Sequence, residues 1–223
     1  DYRVLAADTP GLGASDMPPE SLHGNDYPRL MAILADVVGI GLDEIIGADA
    51  PFHLAGFSMG SIYGTYLAAN ARGRVRSLTL VGAAAMGLHW SGVSEKLESM
   101  TPEMDAAERR QIQRRNLKRI MTYHDADELA GYLQLENVER ARVRSHGVAH
   151  TDTLARALGR VTAPLRGIWG VHDIYALENF PEIEALLRAT DPDARFTLIE
   201  DAGHWVMYEQ PDAFNAALTA GLV

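Results

Sequence analysis

The chain has 223 residues, which fits one domain or one domain with an insertion, and its 47% hydrophobic and 22% charged residues are typical of a globular protein with a core. A formal net charge of −10 argues against nucleic acid or an anionic membrane as the main partner, and no apolar run approaches the roughly 18 residues of a membrane span. The chain has no cysteine, which excludes disulfides, thiol catalysis and thiolate metal sites and leads us to expect a cytoplasmic protein.

Strands alternate with helices in the first 85 residues. Apolar residues at helical spacing predict one long helix, and short aliphatic runs between turn residues predict buried strands. A loop rich in turn residues, from Asp8 to Asp16, follows the first strand. The predicted elements are a strand at 3–7, a helix at 27–46, a strand at 52–55, a helix at 59–71 and a strand at 75–81.

The junction between the strand at 52–55 and the next helix reads Gly56-Phe57-Ser58-Met59-Gly60. Gly-x-Ser-x-Gly after a strand and before a helix is the pattern of a nucleophile elbow. We expect both glycines to lie where a Cβ would clash, and the Met59 backbone N–H to favour negative charge at the helix start. The hypothesis is that Ser58 is an acyl-accepting nucleophile, and the alternative is an ordinary turn between strand and helix.

Residues 86–160 show no convincing strand and predict an all-helical insertion. Pro102 predicts the first position of a helix that starts at Thr101 and ends near residue 123. Asp125 predicts the cap of a helix to about residue 134, and further helices are expected at about 136–148 and 151–158. The strongly basic run at 109–119 is interpreted as a solvated helix face, with a patch for an acidic ligand as the alternative.

The alternation of strand and helix returns after residue 164, with strands predicted at 165–170 and 195–199 and helices at 180–190 and 211–220. Three polar residues stand just past predicted strand ends: Ser58, Asp173 and His204. Parallel strands bring their carboxyl ends to one edge, where ligands bind. The order Ser, Asp, His is that of a catalytic triad. Alternatively, His204 is a loop histidine and Asp173 a turn or capping residue.

The other histidines give weaker signals. His146 and His150 are four residues apart and could share a helix face as metal ligands do, but no third ligand is apparent. His53 is interpreted as a core or edge residue, and His172 as a residue that shapes the loop beside Asp173. We therefore predict neither a metal nor a cofactor.

Several apolar side chains near the predicted site are candidates for a substrate pocket, with core packing as the alternative. An apolar lining would favour a hydrophobic substrate. The candidates are Phe57, Met59, Met86, Leu88, Trp90, Trp205 and Met207.

Four signatures together resemble those of the α/β-hydrolase fold: the stretches 8–15, 56–60, 170–173 and 202–205. The stretch 203–215, with Glu209, Pro211 and Phe214, is similar to cap-bearing members, which include carboxylesterases and hydrolases of carbon–carbon bonds in ring-fission products. The resemblance implies an α/β fold with a mostly parallel sheet flanked by helices. It divides the chain into core (1–85), helical cap (86–160) and core (161–223).

Two departures from the family pattern stand out. Many members have glycine at the position of Ser61. The family also has earlier strands, of which the third lies between the strands at 3–7 and 52–55, and the loop after it supplies the second oxyanion donor. We predict that an N-terminal segment is missing from this chain, is supplied by another chain, or is replaced by an unusual pairing.

The sequence thus predicts a serine hydrolase in which Ser58 attacks, His204 is the base, Asp173 orients it and the Met59 N–H binds the oxyanion. We expect a small hydrophobic ester or ketone as substrate, and a homodimer is left open. A carbon–carbon hydrolase is the alternative within enzymes. A non-catalytic binder of small molecules is the alternative from another class.

Overall fold

A computed structural model describes residues 2–17, 26–71, 73–89, 96–143, 146–220 and 222. Within these residues, four parallel strands form one sheet in the order β1-β2-β3-β4. The strands are β1 (Phe52–Phe57), β2 (Val75–Val81), β3 (Leu165–Gly170) and β4 (Arg195–Ile199).

Helices connect the strands, as parallel pairing requires. No helix within the described ranges is both long and apolar enough to cross a membrane. A 3₁₀ helix spans His146–His150, and the α-helices are α1 (Tyr27–Ile46), α2 (Met59–Asn70), α3 (Ala106–Ile120), α4 (Glu128–Arg140), α5 (Thr153–Leu158), α6 (Phe180–Thr190), α7 (Val206–Glu209) and α8 (Pro211–Thr219).

Helices cover both faces of the sheet. Successive side chains of a strand point to opposite faces, so Leu80 and Val81 of β2 enter different clusters. Leu80 belongs to the larger cluster, with residues of α1, α2, α5 and α6. Val81 belongs to a second cluster with Ile168 of β3 and residues of α7 and α8. The central strands are therefore buried on both sides, and their carboxyl ends meet at one edge.

The observed bounds of α1, α6 and the last three strands match the prediction, whereas the helices of the insertion differ from it. Helix α3 begins at Ala106, because the carboxylate of Asp105 accepts hydrogen bonds from Ala107 N and Glu108 N and the side chain of Glu108 accepts one from Asp105 N. This reciprocal capping box is a stronger start signal than Pro102, so the prediction of a start at Thr101 is wrong.

Helix α4 replaces two shorter predicted helices. Its N-cap is Asp127, which accepts a 2.8 Å hydrogen bond from Ala130 N, rather than the predicted Asp125. The helix continues through the predicted break near residue 135, since Leu135 is buried there and packing favours continuation. The predicted helix at 136–148 is therefore wrong, and only a 3₁₀ turn forms from residue 146.

The basic run lies on α3, and its basic side chains are exposed or half-buried, whereas Ile112, Gln113, Asn116 and Leu117 are its buried face. Its guanidinium groups pair with acidic residues of the same chain: Arg109 with Glu139, Arg114 with Glu128, and Arg115 and Arg119 with Glu98. These ion pairs favour the interpretation of a solvated helix face over a patch for an acidic ligand.

The strand predicted at 3–7 does not form. These residues are exposed and form no strand. The strand β1 is the edge of the sheet, and no described strand lies beside it to pair with them. A groove of about 450 Å³ runs along this side of β1 and is lined by apolar side chains that include Leu12, Val38 and Leu67. Direct pairing of the two segments is not observed, and the segment beside β1 stays a prediction.

Candidate active site

The turn between β1 and α2 holds Ser58 in an unusual backbone conformation. Its φ is 50° and its ψ is −116°, a region that costs a non-glycine residue of the order of 1–3 kcal/mol. A Cβ on Gly56 would stand 2.5 Å from the carbonyl oxygen of Gly60, so only glycine fits there. The expectation for Gly60 is wrong, since among the described residues a Cβ on it would make ordinary van der Waals contact with the Tyr63 side chain, at 3.4 Å from the hydroxyl.

Hydrogen bonds fix this turn from both sides. Ser58 N donates to Val81 O of β2 at 2.8 Å, and the Ser61 hydroxyl donates to Gly56 O at 2.5 Å. Ser61, the departure noted in the sequence, therefore ties the end of β1 to the first turn of α2. Met59 begins α2, so its N–H has no partner inside the helix, and the residue lines the cavity described below.

Asp173 and His204 meet beyond the ends of β3 and β4. The Asp173 carboxylate and the His204 Nδ1 are 2.8 Å apart, and both side chains are nearly inaccessible, at 1% and 3% exposure. Gly170 allows this approach, since a Cβ there would lie 2.3 Å from the carbonyl oxygens of Ala202 and Gly203. With Nδ1 bonded to the carboxylate, Nε2 is the nitrogen left for proton exchange.

The imidazole of His204 is enclosed by three neighbours. The rings of Phe57 and Tyr175 lie 4.9 Å and 4.8 Å from it between centroids. Gly82, with φ 50°, closes a third side, since a Cβ would approach the ring to 3.0 Å. Burial, and then the negative charge of Asp173, raise the pKa of Tyr175 to about 12, so its phenol stays protonated near neutral pH.

A cavity of about 500 Å³ opens in front of Ser58 and His204. Its wall is mostly apolar and comes from the loop after β2, from α2 and α6, and from the insertion. The lining residues are Ser58, Met59, Ile62, Ala83, Ala84, Ala85, Met86, Leu88, His89, Met121, Ala141, Val143, Val148, Ala149, Tyr175, Asn179, Ile183 and His204. A site of this size and lining suits a small apolar molecule.

Some predicted pocket residues line this cavity and others lie elsewhere. Met59, Met86 and Leu88 are in the wall, and Phe57 contacts the ring of His204 from outside it. Two candidates pack into hydrophobic clusters beyond the cavity: Trp205 against the insertion, and Met207 against the second core cluster. Trp90 lies outside the described residues.

Sequence reasoning missed Gly82, Tyr175 and Met121. Gly82 directly follows the predicted strand at 75–81, so a glycine at a strand end was a usable signal. Tyr175 stands two residues after Asp173, and its N–H donates to the Asp173 carboxylate at 3.0 Å. Met121 reaches the wall from the far end of α3, and no local pattern indicates this.

The remaining histidines have other contacts. The Nδ1 of His53 is 2.8 Å from the Ser77 hydroxyl, as expected for a satisfied edge residue. The ring of His172 stacks on Tyr123 at 3.6 Å between centroids. The side chain of His146 is outside the described part of the chain, and no group of three His, Asp or Glu within that part is arranged to hold a metal ion.

Curated proteins that match this chain include a hydrolase and an acetyltransferase component. The 2-hydroxy-6-oxononadienedioate/2-hydroxy-6-oxononatrienedioate hydrolase of Cupriavidus pinatubonensis is 29% identical over 232 residues, covering 96% of this chain and 74% of that protein. The dihydrolipoyllysine-residue acetyltransferase component of the acetoin cleaving system of Pseudomonas putida is 27% identical over 225 residues, covering all of this chain. The chain spans only 56% of that second protein.

Solved structures share the fold at lower identity. A mutant of the meta-cleavage product hydrolase CumD superposes with a TM-score of 0.71 and 22% identity, covering 98% of this chain and 79% of that one. The esterase EaEST from Exiguobacterium antarcticum has a TM-score of 0.68 and 20% identity, with coverages of 95% and 78%. The hydrolase relative supports an enzyme with hydrolase activity, as predicted, whereas the two solved structures show the fold alone. The model of the alpha/beta hydrolase family matches residues 1–217, and the chain therefore belongs to that family.

Proposed function

We propose that the protein is a serine hydrolase that cleaves a small hydrophobic carboxylic ester through Ser58, His204 and Asp173. The observation that carries the proposal is the buried 2.8 Å contact between Asp173 and His204 at a cavity that Ser58 also lines. A nucleophile, a base and a group that orients the base are the parts of the triad template.

The proposed reaction begins when the Ser58 hydroxyl attacks the ester carbonyl and His204 Nε2 takes its proton. Asp173 stabilises the imidazolium that forms, and the Met59 N–H donates to the oxyanion. His204 then returns the proton to the leaving alcohol, which leaves an acyl group on Ser58. Water, deprotonated by His204, attacks this acyl-enzyme and releases the acid. A second oxyanion donor, assigned to no described residue, is also part of the proposal.

The test is the substitution Ser58→Ala, with a chromogenic short-chain ester as substrate. We expect the wild type to show a burst of chromophore followed by steady turnover, and the variant to lose at least about 10³-fold in turnover. Ser99→Ala, at an exposed serine, is the matched control. Ester turnover that persists in Ser58→Ala would contradict the assignment, and tight binding without turnover in the wild type would favour the non-catalytic binder.

A carbon–carbon hydrolase is the second candidate, because curated relatives are named 2-hydroxy-6-oxononadienedioate/2-hydroxy-6-oxononatrienedioate hydrolases and the CumD structure is named as a meta-cleavage product hydrolase. It would use the same three side chains after ketonisation of the substrate. Parallel assays with an apolar ester and a vinylogous diketone acid distinguish the two, since the better substrate is the one with the higher kcat/KM.

The division of the chain is also part of the proposal. Residues 86–160 are proposed to form the helical cap, and residues 1–85 and 161–223 are proposed to form the two parts of the core.

A further inference from the structure

The side chain of Glu209 joins two separate parts of the chain. Glu209 ends the short helix α7, five residues after His204. Its carboxylate accepts three backbone hydrogen bonds, from Gly203 N at 2.7 Å, His124 N at 2.8 Å and Tyr123 N at 3.1 Å. One acceptor thus holds both the loop that carries His204 and the segment between α3 and α4.

The residues on both sides of His204 contact this same segment. Trp205 N donates to Met121 O at 2.8 Å. Gly203 is packed so closely that a Cβ would lie 2.9 Å from Tyr123 N and 3.0 Å from Met121 O. Met121 also lines the cavity. The insertion therefore contacts both the cavity and the two residues that flank His204.

A carboxylate is well suited to this bridge. Three N–H donors converge on two oxygens, and hydrogen bonds to a charged acceptor are roughly twice as strong as neutral ones. A glutamine would keep the length but offer only one oxygen, and its NH₂ group would face an N–H donor. An aspartate would keep the charge but draw the oxygens back by one methylene.

We propose that Glu209 is a positioning residue that couples the docking of the helical insertion to the placement of His204. It touches neither substrate nor reacting atoms, and it acts by fixing Gly203 and the 121–124 segment relative to each other. The inference rests on the proposed function, because it assigns His204 the role of base. Small displacements of a base are costly in catalysis, so loss of the bridge is expected to lower kcat.

The experiment compares Glu209→Gln with Glu200→Gln, the same change at an exposed glutamate of the preceding loop. Burst amplitude with a chromogenic ester counts functional sites, and kcat is expressed per counted site. We expect Glu209→Gln to lower kcat per site by about 10–100-fold with a smaller change in KM. Glu200→Gln is expected to stay within about twofold of the wild type. Unchanged kcat per site in Glu209→Gln, with only the burst amplitude reduced, overturns the proposal, since this is the result of a purely structural role.

Two further variants keep the test decisive. Tyr208→Phe removes the 2.7 Å hydrogen bond from the Tyr208 hydroxyl to Asp127, the N-cap of α4, and so loosens the insertion without touching Gly203. An equal loss of kcat in Tyr208→Phe would assign the effect to docking alone and overturn the role of Glu209. Glu209→Asp carries the test if the glutamine variant does not fold. We expect Glu209→Asp to have a kcat per site between those of the wild type and Glu209→Gln. A wild-type kcat per site in Glu209→Asp would contradict the proposal. A failure of the proposed function is distinguished by Ser58→Ala, which would then retain turnover.

Discussion

The ring of His204 contacts several residues from outside its own loop. One nitrogen is bonded to Asp173, and the faces and edges of the ring meet Phe57, Tyr175 and Gly82. Packing of this kind limits rotation of the imidazole, so the proposed base is orientated before any substrate arrives. Preorganisation is a main source of rate enhancement in hydrolases.

Gly82→Ala tests this enclosure at the scale of one methyl group. The added Cβ would lie 3.0 Å from the His204 ring and 3.3 Å from the Asp173 carboxylate, at a φ of 50°. We expect the ring to shift and kcat for ester hydrolysis to fall about 10–100-fold, with a loss of about 1–2 kcal/mol in the free energy of unfolding. Steady-state kinetics and urea denaturation measure the two effects.

Gly73→Ala is the matched control for this prediction. Gly73 also has a positive φ, of 80°, but a Cβ there would meet nothing within 4 Å. It should show the backbone strain without the loss of kcat. If both variants lost kcat equally, contact with His204 would not be the cause.

Tyr175 gives the site a predicted dependence of stability on alkaline pH. Its folded pKa of about 12 is above the ordinary value of 10, so the folded protein holds this proton more tightly than the unfolded chain. The contribution to stability is complete below pH 10 and is lost as pH rises towards 12, by at most about 3 kcal/mol. Phenylalanine cannot titrate. The free energy of unfolding of the wild type, measured relative to that of Tyr175→Phe, is therefore expected to fall by about 1 kcal/mol from pH 9 to pH 11 in urea denaturation. A gap that grows or stays constant would contradict the predicted sign, and Tyr132→Phe, at an exposed tyrosine, is the control.

Elements with strong local signals were predicted well, and the insertion was not. Helix α1 and the last three strands have unbroken apolar patterns between clear turn residues, and their bounds match. In the insertion two start signals compete within a few residues. Pro102 indicated a start, but the capping box of Asp105 and Glu108 satisfies more backbone donors. The outcome depends on side-chain geometry that the residue types only partly specify.

Replacing glycine by alanine is expected to have opposite effects on stability at two helical positions. Gly131 of α4 lies against α3, where a Cβ would stand 2.5 Å from the Arg114 side chain and 3.1 Å from the Arg110 carbonyl oxygen. Gly41 of α1 has nothing within 4 Å of that point. Alanine favours a helix over glycine by about 1 kcal/mol, so Gly41→Ala should raise the free energy of unfolding by about 0.5–1 kcal/mol.

At Gly131 the contact outweighs the propensity. Pushing α4 away from α3 is expected to cost about 1–3 kcal/mol, which exceeds the helix gain and leaves Gly131→Ala destabilised. Thermal or urea unfolding of both variants measures the difference. A stabilised Gly131→Ala would mean that Arg114 moves aside without cost and that the two helices do not depend on this close approach.

At the scale of the molecule, the sheet brings together residues that are far apart in the sequence. Ser58, Asp173 and His204 could be predicted as neighbours because each follows a strand and parallel strands end at one edge. The bonds of Glu209 could not, because they join helix α7, which follows β4, to a turn between two helices more than 80 residues away. The enclosure by Gly82 is non-local for the same reason. The alternation of strands and helices in the sequence predicts a parallel sheet, whereas contacts between loops depend on how the elements pack.

The edge position of β1 leads to a prediction for hydrogen exchange. Phe52 N and Ser58 N donate towards β2, and amides alternate along a strand, so those of Leu54 and Gly56 also face β2, whereas those of Ala55 and Phe57 face the open groove. In this 223-residue chain we expect the amides of Ala55 and Phe57 to exchange at least about 10-fold faster than their neighbours.

Amide exchange followed by NMR at several protein concentrations measures this contrast. Leu54 and Gly56 are the internal controls, because they belong to the same strand and share its local stability. Equal slow exchange at all four positions would show that the outer edge of β1 is covered in solution. Loss of that protection on dilution would identify a second copy of the chain as the cover, and protection that does not depend on concentration would indicate another segment of the same chain. The open edge is thus the point at which the predicted pairing partner of β1, and the homodimer that the sequence leaves open, can be tested by one measurement.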